Sequence, residues 1–230
     1  MLGTLRDRPA SSINLIGGRI CLDFINTMGA RRFGPNGEMT IRDENLNDYL
    51  DMVAWALHAG VLNQAEARIL MKEASLRPTE AARVFRLGLR LREALHGIFR
   101  AALLEQPPKQ GDLVVLNEEL KLALGARQIV GTTSGFVWRW HTTNTVLEKI
   151  LWLVSESAAE LLIDGDLSRL RQCNGDDCGW IFEDTTRNHS RHWCDKGDCG
   201  NRHRVRRFRM KQRRASLRIR TQPQTRGNSR

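Results

Sequence analysis

Four cysteines in the last quarter of the chain have the spacing of a metal site. They form two pairs that each enclose four residues, with fifteen residues between the pairs: Cys173, Cys178, Cys194 and Cys199. Such pairs can occupy the corners of a tetrahedron around Zn²⁺, at Zn–S distances of about 2.3 Å. Because four thiolates leave zinc no open position for water or substrate, we expect one structural zinc ion and no hydrolytic chemistry.

Other interpretations of these cysteines are disulfides or unpaired core thiols, and His189 or His192 could replace one sulfur. We expect a cytoplasmic protein, because the N-terminus lacks the continuous apolar core of a secretory signal. Thiols stay reduced in that compartment, which favours metal binding over disulfides. About sixty residues with few large side chains cannot form a self-sufficient core, so the metal would have to stabilise this module.

The residues around the cysteines predict a small treble-clef-like module of knuckle, hairpin and helix. Residues 179–184 and 191–194 are interpreted as the two strands, and the helix is expected to begin at the fourth cysteine. Trp180 and Trp193 are expected to cover the zinc site. One narrow stripe at steps of three and four residues would let the helix dock on the module, and it consists of Val205, Phe208, Gln212, Ala215 and Ile219.

The expected helix has the densest positive charge of the chain. Residues 1–170 have 20 Lys+Arg against 20 Asp+Glu, whereas residues 171–230 have 16 against 6, so the net charge of +10 lies in the last quarter. Such a block implies a polyanionic partner, and arginine favours phosphate and guanine contacts. The residues expected to bind nucleic acid are Arg202, Arg204, Arg206, Arg207, Arg209, Lys211, Arg213 and Arg214, with Arg202, Arg206 and Arg209 reaching bases.

Other functions of the basic segment stay open at this point. It could be a solubilising or protein-binding tail, or the module could bind RNA, with Trp180 and Trp193 stacking on unpaired bases. An acidic protein is a further alternative partner. We expect no membrane association, because the chain has no segment of about 20 apolar residues.

Residues 1–168 predict a mainly helical domain. The strongest helix lies between residues 78 and 105, and another is expected after Asn144, opened by Thr145 and Glu148 at capping-box spacing and ending near Ile163. Shorter helices are expected at about 45–58, 64–75 and 112–124. The segment RQIVGTTSGFVWRWHT predicts a β-hairpin that pairs 126–131 with 136–141, with its tryptophan face on the helices.

A polar group near the start of this domain could bind a small ligand. Asp23, Asn26 and Thr27 share one side of a helix, and Arg92 could join them. The alternative is structural, with Asp23 capping a helix and Asn26 satisfying a buried backbone group. An enzymatic role for this domain finds little support, because the sequence shows no paired acid and base, no partnered nucleophile and no phosphate-binding glycine loop.

The segment CGWIFEDTTRNHSRHWCDKGDCGNRHRVRR resembles the CGNR zinc finger family, named after Cys199, Gly200, Asn201 and Arg202. GGRICLDFINT is similar to the opening of the ABATE domain, which accompanies this finger in bacterial proteins described as stress-induced transcription regulators. The resemblance implies that the four cysteines bind zinc and that the finger binds DNA, and it names no ligand for the N-terminal domain.

Together these patterns predict a mainly α protein that regulates bacterial transcription. Residues 1–168 would sense a signal, through an unknown small-molecule effector, or mediate assembly into a homo-oligomer. Residues 169–215 would form the zinc finger with its basic helix, and residues 216–230 a disordered basic tail.

Overall fold

The computed structural model describes residues 5–33, 39–141, 146–175 and 178–220, with the backbone alone for 30–33, 39–43 and 214–220. Within these ranges the chain forms seven α-helices and three antiparallel two-stranded sheets. In chain order they are α1 (Ile20–Ile25), β1 (Met28–Phe33), β2 (Met39–Glu44), α2 (Tyr49–His58), α3 (Gln64–Leu76), α4 (Pro78–Leu103), α5 (Gln110–Gly125), β3 (Arg127–Thr132), β4 (Gly135–Trp140), α6 (Lys149–Ile163), β5 (Leu170–Gln172), β6 (Ile181–Glu183) and α7 (Cys199–Arg220).

Helix α4 is the central element of the helical domain. Pro78 occupies its first turn, where a missing N–H costs nothing. Its predicted apolar stripe faces the core, since Val84, Leu91, Leu95 and Ile98 are buried. Helices α1, α2, α3, α5 and α6 all pack against it. The mainly helical fold is therefore confirmed, with its core on the face that the sequence periodicity indicates.

Local capping interactions explain where the shorter helices begin. Asp48 accepts a hydrogen bond from the backbone N–H of Asp51 at the start of α2. Asn63 and Glu66 form a reciprocal capping box at the start of α3. The capping-box prediction at Thr145 lies outside the described residues. The helix expected after it begins at Lys149 and ends at Ile163, as predicted.

The predicted hairpin is present, as β3 and β4, but the expected packing of its aromatic face is wrong. Phe136 and Trp138 are 83% and 61% exposed. Only Trp140, at the base of the hairpin, meets the helices, with its ring centroid 5.4 Å from that of Trp152 in α6. The reason is geometric: the base of the hairpin adjoins α6, and the rest of both strands extends past the helical body.

The hairpin of β1 and β2 was not predicted from the sequence. The two strands pair from Met28 opposite Glu44 to Phe33 opposite Met39. The available signal was Pro35, Asn36 and Gly37, residue types that favour turns; these three lie outside the described residues. No helix among the described residues is both long and apolar enough to span a membrane.

The basic helix ends one residue after Ile219, the last residue of its predicted stripe. Helix α7 continues to Arg220, past the predicted end of the module at residue 215. Residues 221–230, the rest of the expected tail, lie outside the described residues, and so does the side chain of Arg214.

Arg92 is a charged residue inside the helical domain, with a side chain that is 2% exposed. Its guanidinium donates to both carboxylate oxygens of Glu44, at 2.7 and 2.6 Å, and to the hydroxyl of Thr27 at 3.1 Å. Because Glu44→Ala leaves this buried cation without its bidentate partner, we expect the free energy of unfolding to fall by about 3 kcal/mol. Urea unfolding measures the change.

Glu73→Ala is the matched control, because Glu73 pairs with Arg77 on the helix surface. Its loss should cost about 0.5 kcal/mol. Equal losses for the two variants would contradict a structural role for the Arg92 pair.

Candidate metal centre and nucleic-acid interface

The four cysteines converge on one site. Their sulfur atoms all lie within 4.8 Å of one another, and all four side chains are buried. The Sγ of Cys194 lies 3.6 Å from that of Cys178 and 3.5 Å from that of Cys199. A ZnS₄ tetrahedron has edges of about 3.8 Å. The donor set and its dimensions therefore fit one structural zinc ion, which Cys173, Cys178, Cys194 and Cys199 would hold.

The order of elements in this module differs from the predicted one. Strand β6 lies within residues 179–184 as expected, but its partner is β5, which precedes the first cysteine. The segment 191–194 is not a strand, so that prediction is wrong. The segment instead lies beside the metal site. The carbonyl of His192 accepts a hydrogen bond from the N–H of Asn174, and the N–H of Cys194 points at the Sγ of Cys173, at 3.3 Å.

Backbone amides and a glycine complete the knuckle around Cys173. Its Sγ also accepts from the N–H of Gly175 at 3.4 Å. A Cβ at position 175 would lie only 3.1 Å from the Cβ of Cys178 and 3.2 Å from the Sγ of Cys199, so a side chain there would crowd the site. Hydrogen bonds from Cys178 and Cys194 lower the pKa of Cys173 and raise the pKa of both donors. Thiols this close ionise together only when a cation is bound.

The loop between the cysteine pairs is held by its own side chains. Burial raises the pKa of Asp184, but its carboxylate accepts from Thr186 and from the N–H of Arg191, and these hydrogen bonds help to lower the pKa to about 2. Arg191 donates to the carbonyls of Trp193 and Cys194. His189 bonds to the backbone of Asp184, and His192 is exposed. The metal-binding group among the described residues thus consists of cysteines, without either histidine.

The start of α7 is attached directly to the metal site. Cys199 is both the fourth ligand and the first residue of the helix. One turn later, Nη2 of Arg202 lies 3.3 Å from the Sγ of Cys199 and 2.9 Å from a carboxylate oxygen of Asp198. The ring of Trp193 lies against that of His203, with centroids 4.6 Å apart. Trp180 and Trp193 both pack against the cysteine cluster, as expected.

The module is joined to the helical domain through β6. The side-chain amide of Asn26 is buried and bonds to both backbone groups of Ile181, accepting from its N–H at 3.1 Å and donating to its carbonyl at 2.9 Å. The indole N–H of Trp180 donates to the carbonyl of Met28 at 2.9 Å. Arg19 pairs with the buried carboxylate of Glu183 at 2.8 Å. Asn26 therefore acts as a substitute strand partner for β6.

The two glycines before α1 fit this junction. Gly17 accepts a backbone bond from Glu183, and its N–H donates to Asp23 at 2.7 Å. Gly18 has a φ of +83°, a conformation that favours glycine, and a Cβ there would lie 3.4 Å from that of Glu183. Burial raises the pKa of Asp23 to about 6, against the lowering effect of its backbone hydrogen bonds.

The four candidate ligand residues thus bond to the protein itself: Asp23 to the glycine turn, Asn26 to β6, Thr27 to the carbonyl of Phe24, and Arg92 to Glu44 and Thr27. None of them lines the apolar groove of about 330 Å³ between α2, α3 and α4, whose walls include Tyr49, Met71 and Phe85. The small-molecule site at these positions stays a prediction.

The basic side chains of α7 are presented to solvent. Residues 201–213 are all exposed, including Val205 and Phe208 of the predicted docking stripe. The expectation that this stripe packs on the zinc module is therefore wrong, because the helix leaves the module after its first turn. The structure brings the metal ligands together and aligns seven of the eight predicted cations on one exposed helix: Arg202, Arg204, Arg206, Arg207, Arg209, Lys211 and Arg213.

A helical domain joined to a four-cysteine metal module with a projecting helix defines a zinc-finger protein of two parts. The ABATE family model, described as "Putative stress-induced transcription regulator", matches residues 18–165. The CGNR zinc finger model matches residues 169–212. Since the first match covers more than half of the chain, the chain belongs to the ABATE family. Among curated proteins, none matches the chain significantly.

Purified under reducing conditions, the protein should contain one zinc ion per chain, measured by elemental analysis. Cys194→Ser removes a ligand, so we expect loss of the metal and of hydrogen-exchange protection across residues 169–200, since metal binding contributes about 10 kcal/mol in small finger peptides. Cys21→Ala is the control, because Cys21 is a buried core thiol outside the metal cluster. Wild type without metal would refute the assignment.

The bond between Asn26 and β6 can be tested separately. Asn26→Ala leaves the N–H and the carbonyl of Ile181 buried without their partner, and we expect the free energy of unfolding to fall by about 3 kcal/mol. Asn117→Ala, at an exposed position of α5, should change it by less than about 0.5 kcal/mol. A loss for Asn26→Ala no larger than for this control would show that Asn26 is not a strand partner.

Proposed function

We propose that this protein is a DNA-binding transcription regulator in which the zinc module holds α7 against the phosphate backbone. The proposal includes a bacterial source, a cytoplasmic location and a response to stress, in line with the two families. The observation that carries it is the exposed, one-signed helix that begins at a metal ligand. A surface helix that only keeps a protein in solution usually mixes charges at i and i+4.

The charge pattern of α7 supports a polyanionic partner. Residues 202–220 include no Asp or Glu. Among the described residues, no carboxylate forms an ion pair with Arg204, Arg207, Arg209 or Lys211, whereas Arg202 pairs with Asp198. The cations form two flanks along the helix, one of Arg202, Arg206, Arg209 and Arg213, the other of Arg204, Arg207, Lys211 and Arg214.

The exposed apolar stripe between the flanks suits a helix that enters a groove of duplex DNA. Val205 and Phe208 lie between the two rows of cations. In the major groove, apolar side chains contact thymine methyl groups while arginines reach guanine edges and phosphates. Arg206 and Arg209 are the residues we propose for base contacts.

Arg202 has a different proposed role from the other cations. Its guanidinium already contacts a metal ligand and Asp198, so it is placed to offset the negative charge of a zinc–tetrathiolate centre. The hydrogen bond to Cys199 is also the main reason that the pKa of Arg202 is raised. We therefore propose that Arg202 fixes the helix to the metal site. This role replaces the base contact predicted for Arg202 from the sequence.

Fluorescence anisotropy measures binding to a mixed-sequence DNA duplex. The logarithm of the association constant should fall linearly with the logarithm of the salt concentration. Each phosphate contact contributes about 0.9 to the slope, so Arg204→Gln and Lys211→Gln, on the flank without proposed base contacts, should each reduce its magnitude by about that amount. Arg202→Gln should instead raise the rate at which a chelator removes zinc. Lys121→Gln, at an exposed position of the helical domain, is the control that should change neither.

A slope near zero would overturn the proposal. Competition between duplex DNA and single-stranded RNA distinguishes the RNA alternative, since a preference for the unpaired strand would point to base stacking. In the native host, genome-wide mapping of bound DNA should lose its peaks in the Cys194→Ser variant, and peaks that persist would separate DNA binding from the metal.

Neither family description names an enzymatic activity. An effector of the N-terminal domain is a separate proposal that the DNA-binding assay does not test. If an acidic protein were the partner of α7 instead, the labelled duplex would not bind even at low salt.

A further inference from the structure

The hairpin of β3 and β4 has one large exposed apolar face. The register places Ile129 opposite Trp138 and Gly131 opposite Phe136, so the three side chains share one face of the sheet. Ile129 is 63% exposed, and Phe136 and Trp138 are more than half exposed as well. Large apolar side chains clustered on the surface of a protein often mark an interaction site. We call Ile129, Phe136 and Trp138 the hairpin face.

Contacts at the base hold the hairpin in its extended position. Trp140 stacks on Trp152, and the guanidinium of Arg127 lies 4.9 Å from the ring centroid of Trp140 and 5.6 Å from that of Trp138. Arg127 also pairs with Glu156 of α6 at 2.8 Å. The hairpin face is thus fixed relative to the helical domain, so that a partner need not order it on binding.

The surrounding charge separates this surface from that of α7. Among the charged side chains of residues 110–141, Glu119 is buried and Arg127 is paired with Glu156, which leaves two acidic and two basic side chains, Asp112, Glu118, Lys121 and Arg139. A surface that binds nucleic acid through aromatic stacking has a surplus of cations along the backbone path. The neutral balance here does not suit a polyanion, but it lets two copies of the same surface approach without repulsion.

We propose that the hairpin face binds a second copy of this chain, forming a two-fold symmetric dimer. A neutral apolar surface is complementary to itself, as a two-fold interface requires. Within the described ranges, each strand of this sheet also has one edge without a third strand, and a symmetry-related hairpin can pair there in antiparallel fashion.

The hairpin face supplies the apolar centre of an interface and not its whole area. The exposed parts of Phe136 and Trp138 amount to about 250 Å², given about 150–250 Å² for a whole aromatic side chain. That is roughly a third of the ~800 Å² that each partner buries in a standard interface. This inference does not depend on DNA binding.

Sedimentation equilibrium of the full-length, zinc-loaded protein without nucleic acid tests the proposal. Wild type should sediment at twice the chain mass of 26.2 kDa. The double variant Phe136→Asp, Trp138→Asp places two like charges on each face, and its dimer dissociation constant should rise at least tenfold. Because both side chains are largely exposed, the variant should keep its circular dichroism spectrum and its zinc content.

Ile163→Asp is the matched control, since Ile163 is 80% exposed at the far end of α6. It should dimerise as wild type does. A wild type that stays monomeric at all concentrations overturns the proposal, and so does a double variant that associates as tightly as wild type. The outcome is independent of the salt titration, so failure of one proposal leaves the other standing.

Discussion

The rest of the zinc module depends on one interaction, the binding of a single dication by four thiolates brought from separate segments. Cys173 and Cys178 flank the turn between β5 and β6, Cys194 comes from an irregular loop, and Cys199 opens α7. Without the cation, four thiols within 4.8 Å of one another could not all ionise. Because the last ligand is also the first helical residue, the metal determines the position and direction of the basic helix.

The helical domain supplies hydrogen bonds that stabilise strand β6 of the zinc module. The module has strands of only three residues, and β6 obtains hydrogen bonds from Asn26 and Gly17 in addition to those from β5. Polar residues that resemble a ligand site in the sequence thus hold the two parts together. Asp23 stabilises the glycine turn that makes this approach possible, and Trp180 packs against both the helical core and the cysteine cluster.

The features that sequence reasoning predicted well are local. Cysteine spacing defined the metal site, and apolar periodicity defined the buried stripe of α4, because both depend on residues close in the chain. The errors concern the packing partner that was expected for an apolar face. The Phe136–Trp138 face and the Val205–Phe208 stripe were correctly placed on one side of their elements, yet both face solvent. Periodicity cannot tell a face packed within the chain from one that awaits a partner. Strand β6 was predicted, but its pairing with β5, only eight residues before it in the chain, was missed.

Because the amide of Asn26 bonds to β6, this finger is not an independent unit like the fingers of a tandem zinc-finger array. The contacts of this amide with Ile181 join positions 155 residues apart in the chain. Recombination that transferred residues 169–212 alone to another protein would separate β6 from that amide and Trp180 from the carbonyl of Met28. We therefore expect the two segments to be inherited as one unit. A graft of this finger into another protein would also need the loop and first helix of the helical domain.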